Sequence, residues 1–538
     1  MKKLVSRFMA VLMAMTMILS MSMTAFAAEA SKGTLTVNNT VAEKTLDLYQ
    51  IFTATKNGDN VAYTLNSSYE GFFKNNTRIP GSESLTGEAL SEKAYEYVKT
   101  QVGEDGKNGT GFAKEILGWI LANADTVAAT HTIVTTTANT TVIRDLAYGY
   151  YVVYPLGATD TSAAPGEQDY TSVASLVSVT GDTSINMKSN YPTVVKKVND
   201  KTADDVNIGD TVTYTLTSKV PDMTGYTSYV FNFKDTLSAG LTFKEITSVT
   251  VGETTITKVD AGQEANDTYT LTQTGQNITI TMNNFLASNA NKVGQEIKVT
   301  YTVTLNKDAV TGFDANKNSA TVEYSNKPGT DNKGESEPSI VDVHTFNFTI
   351  FKYYLKGADK TGLANAEFEL YKANEAGDAA DENAKINIVD EGKGVYRQAT
   401  ADEAKVTGFT SAKIVSDDDG KVLVKGLDAG SYYLRETKAP EGYNKLLSDI
   451  KIEIKPVYDE TTGKLTSYSV DYTYNGTTTT GTAITSKDNS PEVAVENKTG
   501  AQLPSTGSKG ALMVTLAGIV LFGALTASKA FGKKKANN

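Results

Sequence analysis

The chain has 538 residues, a formal net charge of -11 and no cysteine. The acidic balance excludes nucleic acid and anionic membrane surfaces as electrostatic partners. The lack of cysteine excludes a disulfide framework, and with His131 and His344 as the two histidines there is little for a zinc site or a Cys-His nucleophile, so neither metal nor cofactor is expected.

Lys2, Lys3 and Arg7 open the chain as a positive segment, and Met9 to Met23 follow as an apolar one rich in Met, Leu and Ala. Ala25-Phe26-Ala27 supplies small residues at the spacing of a secretory cleavage site. Residues 1–27 are therefore predicted to be a signal peptide, cut after Ala27, and the mature chain to lie outside the cell. At ~100–200 residues per domain, the remainder predicts about three domains. Short alternating segments bounded by Gly, Asn and Asp predict a mainly β chain of tandem sandwiches.

The first domain is placed at 28–187. Thr34 to Val37 and Leu46 to Phe52 alternate as strands, and Ala147 to Val153 returns to strand. Two helical insertions lie between them. Thr86 is an N-cap for Gly87 to Val102, with Gly103 as the stop. Gly111 to Ala124 carries Phe112, Ile116, Leu117, Ile120 and Leu121 at helical spacing. Ala158 to Asp169 reads as a loop from its Gly, Pro, Thr and Ser.

The second domain is placed at 188–343. Its expected strands are Val194–Val198, Asp210–Thr217, Tyr229–Phe233, Asn277–Met282, Ile297–Leu305 and Ala320–Tyr324. The third is placed at 344–500, with strands at Phe346–Lys352, Ala366–Tyr371, Lys421–Val424, Ser431–Glu436, Ile450–Ile454 and Glu492–Glu496. The acidic, Ala-rich stretch 373–404 reads as a solvated loop.

Residues 501–538 close the chain. Leu503, Pro504, Ser505, Thr506 and Gly507 precede an apolar run from Ala511 to Ala527, then Lys529 and Lys533 to Lys535. The run is about 17 residues, marginally long enough at ~1.5 Å per residue to span a bilayer core. The lysines behind it would stay cytoplasmic.

Strand parity singles out six polar residues. Side chains two apart on a strand share a face. Lys352 continues the set Phe346, Phe348, Ile350; Glu436 continues Tyr432, Leu434; Asn497 follows Val493, Val495. In the second domain Lys196 lies between Val194 and Val198, Asp235 follows Phe231 and Phe233, and Asn318 precedes Ala320, Val322 and Tyr324. Each core is thus expected to hold a lysine, a carboxylic acid and an asparagine, either as a buried ion pair or strand-end charge reaching for water or as a reacting set. Burial disfavours charge, giving a neutral amine and a protonated acid. The acid polarises the Asn carboxamide, the amine attacks, ammonia leaves, and an amide joins Lys to Asn. Proximity and desolvation suffice, without a cofactor.

These motifs carry a family resemblance. LPSTG (503–507), with its apolar run and basic tail, resembles the LPxTG sorting signal of Gram-positive surface proteins. In that family a sortase cysteine attacks the Thr-Gly bond and passes the threonine acyl group to an amine. Leu427 to Tyr443 (LDAGSYYLRETKAPEGY) resembles the E-box of collagen-adhesin B-type (CnaB) domains in Gram-positive pilins. Phe233 to Phe243 (FKDTLSAGLTF) and Asn318 to Asn326 (NSATVEYSN) resemble the A-type (CnaA) relative. The resemblance implies three tandem Ig-like/Cna-type β-sandwich domains, with intramolecular bonds Lys196–Asn318 assisted by Asp235 and Lys352–Asn497 assisted by Glu436. In the first domain Tyr154 stands where the E-box has its glutamate, so no bond is expected there.

The whole is similar to a sortase-assembled pilus backbone subunit. This implies as partners a class C pilin polymerase and a housekeeping sortase, copies of itself joined through Thr506, minor or tip pilins, and peptidoglycan. It implies a location on the Gram-positive cell wall. The family's Tyr-Pro-Lys acceptor motif is broken here, because Tyr191-Pro192 is followed by Thr193. Lys188, just before the second domain, is the expected acceptor and Lys197 the alternative. The rival reading is a monomeric wall-anchored adhesin or minor pilin whose first domain binds a host ligand. No G-x-S-x-G, Walker or H-E-x-x-H motif is present, so turnover catalysis is not expected.

Overall fold

The structure is a computed structural model that describes residues 31–499 apart from 104–107, 137–138, 159–172, 188–189 and 224. The signal peptide, Lys188, the pentapeptide 503–507, the apolar run behind it and most of the expected loop at 158–169 lie outside the described residues. The chain is mainly β, with several β-sandwich domains and its longer helices near the N-terminus. It divides into two compact units. One runs to Thr345 and includes Tyr458–Thr466; the other holds Phe346–Val457 and Ser467 onward.

Central to the start of the first unit is the strand Thr45–Asn57, buried on both faces from Leu46 to Phe52. Leu46 and Leu48 pack with Leu35, Val37, Tyr151 and Val153 towards the small sheet built on Lys32–Asn38. Tyr49 and Ile51 pack on the opposite side against the helices. A strand covered on both faces loses simple alternation, which explains the unbroken apolar run LDLYQIF. The helix Gly87–Val102 has the expected bounds, with Leu90, Ala94 and Val98 inward and Gly103 at φ 76° as its stop. Thr86 occupies the N-cap position, but its side chain makes no capping bond. The second helix spans Gly109–Ala122, two residues earlier than expected. Asn123 ends it by bonding the Trp119 carbonyl through both its backbone N–H and its side chain. The strand expected from Ala147 starts at Gly149 instead. A Cβ at Gly149 would stand 2.5 Å from the Phe52 carbonyl oxygen, so this tight crossing requires glycine.

The same unit continues into a two-sheet sandwich. One sheet orders the strands Leu241–Val251, Glu296–Leu305, Thr211–Lys219 and Val195–Val198. The facing sheet centres on Ser339–His344, Asn316–Ser325, Phe231–Leu237 and Asn277–Met282. Val212, Tyr214, Leu216, Val299, Tyr301 and Val303 from one side meet Phe231, Phe233, Ile278, Ile280, Val322 and Tyr324 from the other. The strict alternation of each strand puts these residues inside and the threonines between them outside.

The second unit is also built of two sheets. Phe346–Lys356 pairs antiparallel with Lys421–Leu427 and parallel with Glu492–Glu496. The other sheet runs through Glu367–Ala373, Gly430–Lys438, Ile450–Tyr458 and Leu465–Tyr474. The stretch 373–404 is not the solvated loop expected. It forms the strands Ala380–Lys385, Ile388–Gly392 and Val395–Gln398, followed by the start of the short helix Ala401–Lys405. Its acidic residues are structural partners. Buried Arg397 bonds Glu391 at 2.8 Å and grips both oxygens of Glu403, and Thr400 and Glu403 form a capping box. The hydrogen bonds from Arg397 hold the Glu403 carboxyl down at about 2.

Candidate functional site: two buried lysine–acid–asparagine sets

All six residues singled out by parity are buried, none more than 2% exposed. Strand pairing converts parity into proximity. In the second unit, Lys352 lies at the register of Val495, so Asn497 sits one step beyond it on the neighbouring parallel strand. Glu436 reaches the same point from the other sheet. The Lys352 amine contacts the Asn497 Oδ1 directly and lies 2.9 Å from the Glu436 Oε1. The Asn497 Nδ2 donates to that same Oε1 at 3.2 Å, and the Leu446 backbone N–H donates to the other carboxyl oxygen at 2.7 Å. The amine also stands 5.7 Å from the centre of the Phe368 ring.

The set in the first unit has a different layout. Lys196 is on the sheet of Thr211–Lys219, while Asp235 and Asn318 are on the facing sheet, on adjacent antiparallel strands. The lysine amine contacts the Asp235 Oδ2 and donates to the Tyr301 hydroxyl at 2.7 Å. That hydroxyl donates to the Asp235 Oδ2 at 2.5 Å and accepts from the Asn318 Nδ2 at 3.0 Å. Lysine and asparagine therefore meet through a tyrosine. The Tyr214 ring stacks on Tyr301 at 5.4 Å, and together they wall the amine from water.

Sequence reasoning missed Tyr301. Its signal was present: Ile297, Val299, Tyr301, Val303 and Leu305 share one inward face, and a phenol carried into a core needs a polar partner. Read from the sequence, Val194–Val198 and Ala320–Tyr324 are the first and last strands of the second domain and Phe346–Lys352 and Glu492–Glu496 those of the third, so each set should link first strand to last; this holds for Lys352 and for Asn497 at the end of Glu492–Glu496. It fails for Lys196, because Asn318 is on the penultimate long strand and Ser339–His344 follows and covers it. The alternation of Ser339–His344 is weaker, with Ile340 turned outward at 53% exposure, which hid it from a periodicity reading.

Burial makes both amines easier to deprotonate than an ordinary lysine. Burial pulls the Lys196 amine down to about 8, against the opposing pull of Asp235. Burial likewise lowers Lys352, against Glu436. The Tyr301 phenol is pushed well above its ordinary value, first by burial and then by the Asp235 charge, so it remains a proton donor. A comparison within the same sheet shows what burial adds. Lys234, Glu323 and Asn232 form an identical trio on the outer face, with Lys234–Glu323 at 2.5 Å and Asn232–Glu323 at 2.9 Å. There Lys234 is 38% exposed. Burial acts to raise the Glu323 carboxyl, but hydrogen bonds from Lys234 and Asn232 outweigh it and hold the group below its usual range. The exposed trio is thus an ion pair in contact with water, whereas the buried trios hold a lysine amine whose loss of charge is made easier by burial, beside an acid and an amide.

Two stretches match known domain families. Residues 208–328 match the family model of the Gram-positive pilin backbone subunit 2, Cna-B-like domain. Residues 353–469 match that of the SpaA prealbumin-like fold domain. The first of these is described as B-like, where the sequence resemblance pointed to the A-type. The trypsin-resistant surface T6 protein of Streptococcus pyogenes serotype M6 is 27% identical over 330 residues, covering 55% of this chain and 51% of that protein. The fimbrial subunit type 2 of Actinomyces naeslundii is 29% identical over 279 residues, covering 49% and 50%. The chain spans about half the length of the curated relatives it matches. Among solved structures, the T6 backbone pilin of serotype M6 Streptococcus pyogenes is similar at 16% identity with a TM-score of 0.45, covering 88% of this chain and 100% of that one.

The Lys196 environment makes a pH prediction. In an Asn318→Ala variant the amine has no carboxamide to attack and stays titratable. Its folded-state pKa, about 8, lies below the ordinary lysine value. Between the two the unfolded chain binds more protons, so stability rises with pH. Urea midpoints of the variant should increase from pH 8 to 9.5, by at most about 1.4 kcal/mol per pH unit from this group. A flat or falling midpoint would contradict a desolvated amine.

Proposed function

We propose that this chain, which carries a Gram-positive pilin backbone domain and a prealbumin-like domain, is the repeating subunit of a covalently polymerised cell-surface pilus. Its three tandem Ig-like/Cna-type domains form the shaft, and it is a structural protein rather than an enzyme in turnover. The observation that carries the reading is the pair of buried lysine–acid–asparagine sets, one beside each region matched by a family model.

Each set closes an amide bond inside its own domain. The neutral lysine nitrogen adds to the asparagine Cγ while the acid hydrogen-bonds the carboxamide. The C–N bond to the original amide nitrogen breaks, and that nitrogen leaves as ammonia with the proton shed by the amine. Glu436 does this directly between Lys352 and Asn497. Asp235 does it between Lys196 and Asn318 with Tyr301 relaying the proton. Each bond closes a long loop, with 145 residues separating Lys352 from Asn497. If the disulfide estimate for loops beyond 100 residues carries over, each stabilises its domain by about 4.7 kcal/mol. That supplies the stapling that a secreted chain without cysteine lacks.

Polymerisation uses the C-terminus. Sortase cleaves between Thr506 and Gly507, holds the Thr506 carbonyl as a thioester, and releases it to a lysine amine of another copy. A class C polymerase performs this step within the shaft, and a housekeeping sortase joins the last subunit to peptidoglycan. Lys188 at the junction of the first and second domains is the acceptor. Lys197, which is exposed and faces away from Lys196, is the alternative. Minor or tip pilins complete the fibre.

Two experiments test these claims. Intact mass of the purified ectodomain should fall about 34 Da below the sequence value, two losses of roughly 17 Da each from the condensation that buried proximity permits. Glu436→Ala should restore one loss and Asp235→Ala the other. Tyr301→Phe should slow the second without touching the first. An unmodified wild-type mass would sink both bonds.

For polymerisation, wall extracts should show a ladder of SDS-resistant multimers. Lys188→Ala should abolish the ladder while monomer still reaches the wall through Thr506, and Thr506→Ala should abolish both. A wild type running as a single wall-attached band would favour the monomeric adhesin instead.

A further inference from the structure

A buried carboxylate lies outside the two sets. Asp47, on the strand Thr45–Asn57, is 2% exposed. Its Oδ1 accepts from the Thr132 hydroxyl at 2.7 Å. Its Oδ2 accepts from the Tyr49 phenol at 3.3 Å and from the Lys327 amine at 3.0 Å. Its antiparallel strand partner is Tyr154, the residue in place of the E-box glutamate. The cation comes from the sandwich that follows, from the hairpin between Asn316–Ser325 and Lys333–Glu335.

Two further contacts converge on the same hairpin and its strands, and a third lies beside them. Gly157, at φ 77°, approaches it so closely that a Cβ would stand 2.8 Å from the Asn326 Cβ and 3.0 Å from the Tyr324 ring. Lys44 donates to the Glu335 carbonyl at 2.5 Å and lies 5.4 Å over the Tyr191 ring and 5.9 Å over that of Tyr324. The phenols of Tyr154 and Tyr226 share a hydrogen bond across the same joint.

From this convergence we infer that the 325–333 hairpin is a plug that locks the first domain to the second, with Lys327–Asp47 as its latch. The physics is asymmetric. A carboxylate this deep is tolerated only with a cation beside it, and removing the cation leaves an uncompensated buried charge. The first domain therefore depends on a residue of the second for the stability of its central strand. Such dependence couples the two into one mechanical body. The latch is an ion pair rather than a third amide: Lys327 keeps 23% side-chain exposure, and the other partners given for Asp47 are the hydroxyls of Tyr49 and Thr132, with no second carboxylic acid bonded to the pair among the described residues. The inference stands apart from the pilus reading, since it concerns only how the first two domains hold each other.

The absence of native cysteine makes a distance test direct. Asp59 and Glu253 are exposed, one on each domain, and spin labels at Asp59→Cys and Glu253→Cys in the full ectodomain report the interdomain distance distribution. The distribution should be single and narrow. Lys327→Met should broaden it and speed hydrogen exchange of the Thr45–Leu48 amides at least about tenfold. Gly157→Ala should broaden it by a steric route. Lys327→Arg, which keeps the cation, and Lys333→Met, which removes an exposed lysine from the same hairpin, should leave it narrow. An unchanged distribution and unchanged exchange in Lys327→Met would overturn the latch. So would equal broadening in Lys333→Met. A failure of Lys327→Arg to stay narrow would also count against it.

Discussion

The structure depends on lysine amines being carried into dry cores. An isolated ammonium there is prohibitive, and the usual resolution is either a paired acid or loss of the charge. Here a paired acid is present in each core, burial lowers the amine towards its neutral form, and an asparagine completes each set. The outer-face trio of Lys234, Glu323 and Asn232 has the same residue types gathered on one carboxylate, yet it is in contact with water and remains an ordinary ion pair. The identity of the three residues is thus insufficient. What distinguishes Lys196 and Lys352 is the sandwich around them, which alternating strands build before any covalent step becomes favourable.

The same alternation explains how much was readable in advance. Lys196, Lys352, Asp235, Glu436, Asn318 and Asn497 each sit in phase with apolar neighbours, and a two-residue period is enough to turn all six inward. The helix Gly87–Val102 was legible because its inward stripe and glycine stop agree. Elements that rest on specific side-chain pairings rather than on a repeating pattern were not. The 373–404 stretch looks like loop because its acids seem unpaired, until Arg397 from within the stretch gathers Glu391 and Glu403. Tyr301 was overlooked as one more aromatic in a core strand. The Asp47–Lys327 contact joins residues 280 apart in sequence, and no local pattern marks Lys327. Asp47 even interrupts an apolar run, a signal that a buried charge needed a partner, but its partner lies on another domain.

The two sets also differ in what they protect. Lys352 and Asn497 sit on neighbouring parallel strands that are the first and last of their domain. On the proposed reading, tension entering at Phe346 and leaving past Asn497 meets the amide before it can peel a strand. In the second domain the amide would join the lysine strand to Asn318, and the chain then continues through the 325–333 hairpin to Ser339–His344. That last strand is held by pairing with Asn316–Ala320 and with the short segment Ala203–Asp205. Hydrogen bonds of this kind contribute about 0.5–1.5 kcal/mol each. The covalent link leaves this segment outside its loop.

The plugged hairpin lies within that unprotected segment. Peeling Ser339–His344 outward would pull on the residues between it and Asn318, and Lys327 is among them. To lengthen, the second domain would have to withdraw Lys327 from Asp47 and strand a carboxylate in the core of the first. Among the described residues the first domain has no buried lysine–acid–asparagine set of its own, and with an acceptor at Lys188 or Lys197 it would lie beside the path of tension rather than along it. Its own extension is then not the mechanical problem. On the proposed reading its contribution is to brace, through one buried carboxylate, the part of the second domain that the amide would not reach.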